Sequence, residues 1–347
     1  MGLKLFSRRA AQAPAPSVPQ RRPEPRPPRT PPPFEPAEPI VLEADPLLRC
    51  LQLERYGIIS ARQEHWRNRP GAQAVVEAAA TAIDEQFALV PEGFASLPQT
   101  ANGLPGCPET DVETAAFLLG RHTITNAQFQ KFVDAGGYED LEYWPKDIWP
   151  HIIDFRDQTH VSGPRYWRNG RHNKALANHP VVGVCYYEAA AYARWAGFRL
   201  PTEAEWQMAA SWRIRSSANV LRRYPWGDAL DVSRCNIWAS GVGTTLPVTA
   251  CEAGAAPNGV LQLIGNVWEW TSSDFEITDD EGRAIIGDMV MKSIRGGAFD
   301  TYFPFQATAG FRTGLASLMR THNTGFRCAL DLHPGVNAGN SETRSAQ

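Results

Sequence analysis

The sequence predicts a globular domain that combines several helices with a few short strands and depends on long ordered loops. Its 347 residues have a hydrophobic content of 43%, which is enough to bury a large core. Two capping boxes and two helical stretches that end at glycine mark the helices. Ten of the eleven tryptophans fall between Trp144 and Trp270, and large rings can fill the core of a domain that is short of regular structure. We therefore expect loops that are held in place by aromatic side chains.

Composition and charge exclude several classes of function. The formal net charge is −3 and the Lys and Arg residues are scattered, so no basic surface for nucleic acid is expected. The six cysteines include no C-x-x-C pair, which argues against a zinc knuckle or a thioredoxin-type site. No stretch approaches the roughly 20 apolar residues that span a bilayer, and residues 1–9 lack the apolar region of a signal peptide. The sequence thus predicts a cytoplasmic protein with reduced cysteines and no transmembrane segment.

The N-terminal part of the chain is predicted to lie outside the main domain. Residues 1–44 are expected to be a disordered tether, because twelve prolines fall between positions 10 and 44 and such a composition cannot form a packed core. Residues 45–89 are predicted to be a helical accessory segment, with a first helix ending at Gly57 and a second helix over 72–89. At the other end, the polar residues 333–347 are expected to be a disordered tail.

The main domain, residues 90–332, is predicted to contain three helices and four strands. Thr125 and Gln128 form a capping box, and Thr202 and Glu205 form a second one, so a helix should begin at each pair. Between these helices, an alanine-rich helix over 186–195 should end at Gly197. Three strands are predicted at 117–120, 289–294 and 325–329, and a buried strand is predicted to follow the turn at Gly265 and Asn266.

A carboxylate lies between two tryptophans in the stretch 261–270, which reads LQLIGNVWEW. Glu269 is costly to bury in so apolar a setting unless a cation or several donors meet it. Gly265, Val267 and Glu269 alternate in step, so backbone carbonyls and one carboxylate could converge on a hard cation, with Gln262 adding an amide oxygen. The alternative is a glutamate that accepts hydrogen bonds from backbone amides and organises a loop without metal. Spacing alone favours this second interpretation.

Four histidines lie in or beside the tryptophan-rich segment 143–178. A metal site could be built from them, but their spacing is irregular and matches no helix or strand pairing. The spacing therefore favours unrelated surface or capping roles. The four are His151, His160, His172 and His179.

Six short motifs occur in an order that resembles a known family. They are HPVVGV at 179–184, EAAAY at 188–192, RLPTEAEW at 199–206, GNVWEW at 265–270, RGG at 295–297 and GFR at 325–327. Together they resemble the formylglycine-generating enzyme, or sulfatase-modifying factor, superfamily over residues 90–332. The resemblance implies an α+β domain with low regular secondary structure, a variant of the C-type lectin fold.

The same resemblance implies a calcium site. The calcium ligands of the family match Gln262, Gly265, Val267 and Glu269 of this chain, which strengthens the cation interpretation of that stretch. A structural Ca2+ ion is accordingly the expected cofactor.

The resemblance does not extend to the copper centre. Formylglycine-generating enzymes carry two cysteines after the paired glycines, and these cysteines bind copper. The matching positions here are Thr301 and, less closely, Gln306. Hydroxyl and amide groups are poor ligands for Cu(I), so copper is not expected. The ergothioneine-type sulfoxide synthases bind iron through three histidines of an N-terminal bundle, whereas the N-terminal helices here contain only His65. Iron is therefore considered only for the alternative hypothesis of an oxidoreductase, which is described below.

Our first functional hypothesis is a member of this superfamily without copper, whose cleft binds a peptide or small-molecule ligand and which acts as an accessory or maturation factor for a partner protein. Thr301, Gln306 and Arg312 would border the cleft. Its rim would be near Trp268 and Trp270.

The alternative hypothesis is an oxidoreductase that uses another chemistry in the same cleft, with non-haem iron as one option. Asp300, Tyr302 and His322 are the candidate catalytic residues. Asp300 directly follows a glycine turn, where it is well placed for proton transfer, although a lone Asp in a loop is also a common turn former. A third hypothesis, a structural adaptor carried by the proline-rich tether, would leave the cleft empty.

Overall fold

The computed structural model describes residues 32–98, 109–213, 222–276 and 290–332. Eight α-helices and nine strands lie within these ranges. The helices are α1 (Pro46–Gln52), α2 (Tyr56–Ala61), α3 (Gln63–Trp66), α4 (Ala72–Gln86), α5 (Asn126–Asp134), α6 (Trp149–Ile152), α7 (Tyr186–Ala196) and α8 (Glu203–Ser211). The strands are β1 (Phe87–Val90), β2 (Gly93–Pro98), β3 (Glu109–Thr114), β4 (Phe117–Gly120), β5 (Trp268–Asp274), β6 (Met291–Arg295), β7 (Thr313–Ala316), β8 (Thr324–Gly325) and β9 (Ala329–Asp331).

The strands form three small sheets. One sheet has the order β1-β4-β9, the second is the pair β2-β3, and the third has the order β7-β6-β5-β8. All pairs are antiparallel except β5 with β8, which are parallel. Helix α8 contacts β2 and β3 of the second sheet and also β5 and β6 of the third. Separate small sheets with helices packed around them make an α+β domain, as the resemblance implies.

The two predicted capping boxes are confirmed. The amide of Gln128 donates to the Thr125 hydroxyl at 3.1 Å, and the amide of Thr125 donates to the Gln128 side chain at 3.0 Å. Thr202 and Glu205 make the same reciprocal bonds at 3.1 and 2.8 Å. Helix α7 ends at Gly197, which has a φ of 83°. These caps satisfy amide groups that the first turn of a helix leaves without partners.

The sequence predicts that Gly57 ends a helix. In the structure, Gly57 instead lies in the first turn of α2. The reason is a close approach between two backbones. A Cβ atom on Gly57 would come within 2.2 Å of the carbonyl oxygen of Gly197, so only glycine allows α2 to pack against the end of α7.

The predicted helix over 72–89 is too long by three residues. Helix α4 ends at Gln86, and Phe87 begins strand β1. Phe87 pairs with Gly120 of β4, and its ring packs on Phe198 with ring centroids 4.8 Å apart. Sheet pairing and this aromatic contact override the helical periodicity of the sequence.

The described part of the proline-rich segment lies against the domain. The amide of Lys174 donates to the carbonyl of Glu35 at 2.7 Å, and the side chain of Asn173 donates to the carbonyl of Pro33 at 3.0 Å. The guanidinium of Arg168 stacks over the ring of Phe34 at 5.1 Å. From residue 32 onward this segment is therefore an extended strap rather than a free tether. Positions 1–31 and the tail at 333–347 lie outside the described residues.

The strand predicted at 325–329 is divided into two. Gly325 ends β8, which pairs with β5, and Ala329 begins β9, which pairs with β4. Arg327 lies between them, outside both strands, and its side chain is fully buried in an ion pair. The chain thus passes from one sheet to another at this arginine.

Aromatic residues fill the core around α5 and α7. Their rings are in a mixture of edge-to-face, tilted and stacked contacts, each worth roughly 0.5–1.5 kcal/mol beyond area burial. Buried tryptophans also bind the loops, since the Trp144 indole donates to the carbonyl of Gly137 and the Trp167 indole donates to Asn126. Within the described ranges, no helix combines the length and the apolar character needed to cross a membrane. The central rings are Phe129, Phe132, Tyr138, Trp144, Tyr192, Trp195 and Phe326.

Candidate functional site

The carboxylate of Glu269, at the start of β5, is buried and fully engaged. Arg327 donates to both of its oxygens at 2.6 Å, and the indole of Trp206 donates to one of them at 2.8 Å. Charge-assisted bonds of this bidentate kind offset the cost of removing a carboxylate from water. The compensating cation is therefore a side chain of the protein itself.

Two further buried ion pairs repeat this arrangement. Arg295 donates to Glu203 at 2.7 Å, and Arg320 lies within 2.8 Å of Glu188. Burial lowers the pKa of Arg295 to about 10, with Glu203 opposing the shift, so this guanidinium remains charged at neutral pH. The pairs link the sequence motifs to one another. Glu203 and Arg295 join RLPTEAEW to RGG, and Glu269 and Arg327 join GNVWEW to GFR. The motifs thus explain how the scaffold is held together.

The residues of the predicted calcium site are close in sequence, but oxygens of three of them already have protein partners. The side-chain oxygen of Gln262 accepts from Asn266 at 2.7 Å, and the carbonyl of Gly265 accepts from the amide of Val267 at 3.0 Å. With Glu269 bound to Arg327, this donor set does not fit a calcium ion as it stands. The side-chain amide of Gln262 also donates to two loop carbonyls at 2.9 Å, a loop-organising role. Calcium binding at Gln262, Gly265, Val267 and Glu269 stays a prediction.

Across the described part of the chain, no three histidine, cysteine, aspartate or glutamate side chains converge to hold a metal ion. His172 is buried and bonds the carbonyl of Asn173, and His179 bonds the hydroxyl of Thr245, each at 2.9 Å. These two histidines make separate local contacts, although His172 is buried rather than at the surface.

The loop after the paired glycines begins the candidate cleft. Gly296 and Gly297 both have positive φ, and a Cβ atom on Gly296 would lie 2.6 Å from the carbonyl oxygen of Leu263. Thr301, at a copper-cysteine position of the family, is buried, and its hydroxyl accepts from the amide of Ala298 at 2.8 Å. Gln306, at the other such position, is half-buried at the end of the loop. A turn-forming hydroxyl and an amide do not fit a soft copper ion.

Two of the three predicted catalytic candidates meet in this loop. Asp300 and His322 lie 3.1 Å apart, measured from carboxylate oxygen to Nε2, and the side chain of Asn323 donates to both carboxylate oxygens at 3.1 Å. The side chain of Asp300 is 29% exposed and that of His322 is 59% exposed, so both are open to a ligand. Such a pair can accept, donate or hold a proton.

Beside this pair runs a continuous series of aromatic rings, which we call the aromatic row. Neighbouring ring centroids along it are 5.2 to 6.1 Å apart. Four of its rings are between 41% and 58% exposed, which is unusual for side chains of this size. The backbone amide of Trp268 donates to the carbonyl of Asn323, which joins one end of the row to Asp300. The aromatic row consists of Trp268, Phe311, Phe305, Phe303, Tyr302 and Trp238.

The remaining site residues predicted from sequence have other surroundings. Tyr302 belongs to the aromatic row, where its ring contacts Trp238 and Phe303. Arg312 forms an ion pair with Glu203 at 2.9 Å, so its charge is compensated within the scaffold. Trp270 was expected at the rim of the cleft, but it is fully buried and its indole donates to the carbonyl of Val184. Only Trp268 of that pair reaches the cleft.

Five contributors to the site were not singled out from the sequence. Asn323 and Phe311 come from the loops around β7 and β8, and Trp238 comes from a distant loop. Phe303 and Phe305 were visible as a dense aromatic run beside Tyr302, interrupted by Pro304. This aromatic run is interrupted by a proline, and its apolar residues do not follow the spacing of a helix or a strand that packs on a core. Such a run is a signal that could have indicated an exposed aromatic surface.

Comparison with known proteins places these features in a family. A family model described as the sulfatase-modifying factor enzyme 1-like domain matches residues 72–332. The hercynine oxygenase of Mycobacterium tuberculosis is 39% identical over 177 residues, a match that covers 48% of this chain and 40% of that protein. The formylglycine-generating enzyme of Streptomyces coelicolor is 33% identical over 273 residues, covering 66% of this chain and 83% of that enzyme.

Among solved structures, PvdO from Pseudomonas aeruginosa superimposes with a TM-score of 0.48 at 22% identity and covers 71% of this chain and 94% of that one. The chain spans about two fifths of the length of the hercynine oxygenase it matches. The family model, in contrast, covers well over half of the chain. The protein therefore belongs to the family defined by the sulfatase-modifying factor enzyme 1-like domain.

Proposed function

We propose that the cleft beside the aromatic row binds a peptide or small-molecule ligand, and that the protein serves a partner as an accessory or maturation factor. The observation that carries this proposal is the exposed aromatic row next to the Asp300 and His322 pair. Large exposed apolar patches rimmed by polar groups are typical of interaction sites.

The chemistry of the row suggests the kind of ligand. Its rings offer flat apolar faces, which stack on other rings or on proline and attract cations. The carboxylate of Asp300 adds a single acceptor at a fixed position, because Asn323 holds both of its oxygens. A ligand with an apolar part and a cationic or donor group fits both features.

The donor set near the loop supports a role that does not depend on copper. Thr301 is used within its turn, and Gln306 offers only an amide. Neither side chain can replace a thiolate as a ligand for Cu(I). Binding is then the activity that the side chains of this cleft support best.

An oxidoreductase is the second candidate, favoured by the similarity to hercynine oxygenase. In this case Asp300 and His322 would bind the substrate and hold or move a proton at the carboxylate oxygen or Nε2. Iron would supply the activation of oxygen in such a reaction. The described residues do not fit an iron ion, since no three of their histidine, cysteine or carboxylate side chains converge. The iron ligands of this candidate would have to come from elsewhere.

Binding can be tested with a peptide array and a small-molecule library applied to the full chain and to a variant carrying Tyr302→Ala and Phe303→Ala. We expect bound compounds to combine apolar and cationic groups and to lose affinity for the variant. Leu48→Ala, at an exposed position on α1, is the matched control and should bind as the wild type does. Equal binding by all three proteins would contradict the proposal.

The oxidoreductase candidate has a separate test. Metal analysis of the purified protein is followed by measurement of dioxygen consumption with Fe(II), hercynine and a thiol. Consumption that requires hercynine and is lost in Asp300→Asn would favour the enzyme over the binding protein. No consumption, together with ligand binding at the aromatic row, would favour the accessory role.

A further inference from the structure

A second cavity lies between the N-terminal helices and the main domain. It has a volume of about 340 Å³ and shares no lining residue with the aromatic row. Its walls come from α5 and α7, from the junction of α4 with β1, and from the segment 120–125 that follows β4. A volume of this size is at the lower end of those that hold metabolite-sized ligands.

One wall of this cavity presents polar groups that lack partners. The Thr123 side chain is buried, with the residue 2% exposed, and its hydroxyl has no hydrogen-bond partner among the described residues. The adjacent His122 also lines the cavity, and its ring makes no hydrogen bond to the described part of the chain. A buried polar group without a partner costs stability, so such groups in a cavity wall usually serve a ligand or bound water.

The two charged side chains that line the cavity are paired with each other. Lys131 and Glu54, on the opposite wall, form an ion pair at 2.6 Å. Burial, with help from the nearby Arg327 and Arg121, lowers the pKa of His122, which favours the neutral form of its imidazole. Burial also raises the pKa of the Cys328 thiol, which stays protonated. A charged ligand would therefore find no free countercharge there.

Part of the remaining lining is aromatic. Phe87 and Phe198 pack together with centroids 4.8 Å apart, and the buried ring of Tyr192 completes this side. Ring faces of this kind bind flat molecules by stacking and by excluding water.

We propose that this cavity binds a small uncharged ring compound that carries an amide or hydroxyl group, with the ring against Phe87, Tyr192 and Phe198 and the polar group bonded to His122 and Thr123. The site is separate from the aromatic row, so it adds a second ligand to the protein.

Benzamide and benzyl alcohol are suitable probes, and their binding to the full chain can be measured by ligand-observed NMR and isothermal titration calorimetry. Benzoate and benzylamine have nearly the same shape as benzamide but carry a charge, and we expect them to bind at least tenfold more weakly. Thr123→Val keeps the shape of the side chain but removes its hydroxyl, which should weaken benzamide binding about fivefold. Thr81→Val, on the exposed side of α4, is the control and should leave binding unchanged.

A second variant tests the site from the opposite wall. Ala127→Phe, on α5, would fill the cavity and should abolish binding of both neutral probes. The melting temperature of each variant shows whether it is folded. The proposal is overturned if neither neutral probe binds at millimolar concentration, if the charged probes bind as tightly, or if folded Ala127→Phe protein binds as the wild type does.

Discussion

Arg327 and Glu269 face each other across the interior with two nitrogen to oxygen distances of 2.6 Å, and neither side chain is exposed to solvent beyond 1%. Two further bonds from the same guanidinium reach the carbonyls of Gly120 and Leu261 at 2.9 Å. One arginine thus ties β5, the end of β4 and the loop before GNVWEW together.

Breaking this pair should unfold the domain at a much lower denaturant concentration. Glu269→Gln would leave a buried guanidinium without its countercharge, and we expect it to reduce the free energy of unfolding by about 3–5 kcal/mol. Chemical denaturation of the full chain measures the loss. Glu64→Gln, which affects an exposed ion pair with Arg67, is the control and should leave the midpoint unchanged.

The same variant examines the predicted calcium site. A calcium ion at Glu269 would raise the melting temperature of the wild type in calcium relative to EGTA, and Glu269→Gln would remove that difference. The pair with Arg327 alone would give the wild type equal melting temperatures in both buffers, and the observed contacts favour this outcome. A calcium-dependent rise in the wild type would support the ligand set predicted from the sequence.

A glycine contact provides a test of how the N-terminal helices pack on the domain. Gly57→Ala would place a Cβ atom 2.2 Å from the backbone oxygen of Gly197, so the helices must move apart. We expect a loss of about 1–3 kcal/mol in the free energy of unfolding, although alanine alone favours a helix. Gly310→Ala has open space around its Cβ position and is the control. Equal stability of both variants would mean that α2 does not depend on this contact.

Stability should also fall in mild acid because of a buried histidine. Burial lowers the pKa of His172 below its ordinary value, while its bond to Asn173 opposes the shift. Between the lowered pKa and the ordinary histidine pKa of about 6.5, the unfolded chain binds a proton that the folded chain does not. The stability that this histidine contributes is therefore complete above that pH range and decreases as the pH falls through it. The loss is at most about 1.4 kcal/mol per pH unit for this one group.

His172→Gln should therefore flatten the pH dependence of unfolding between pH 7 and pH 5. Urea denaturation at several pH values compares it with the wild type. His65→Gln, at an exposed position, is the matched control. If the two variants show the same slope, the titration of His172 does not contribute.

The sequence predicted local structure well wherever the interactions are local. Thr125 with Gln128 and Thr202 with Glu205 lie within one helical turn, so both helix starts could be identified from spacing. The partners of Glu269 could not, because Arg327 is 58 positions away and Trp206 is 63 positions away. Spacing therefore suggested a cation beside Glu269 but could not show that a side chain provides one.

The candidate cleft was predicted only in part for the same reason. Asp300 and Tyr302 were found because they follow the RGG motif, but the partners Asn323 and Trp238 come from remote loops. The first functional hypothesis places both Trp268 and Trp270 near the rim of the cleft. In the structure Trp270 is buried, and its indole donates to the carbonyl of Val184.

The final prediction concerns Asp300, whose carboxylate is held by Asn323 and faces His322. Asp300→Asn keeps the size of the side chain but removes its charge, so ligands with a cationic group should bind about tenfold more weakly, whereas uncharged aromatic ligands should bind as before. The melting temperature should change little, because the side chain is partly exposed and lies in a loop. Titration of both ligand types against wild type and variant measures the difference. Asp228→Asn, a loop aspartate that bonds the amide of Arg223, is the control for charge removal elsewhere. A uniform loss of affinity for both ligand types would instead assign Asp300 a role in shaping the loop, and the acceptor of the cleft would have to be another group.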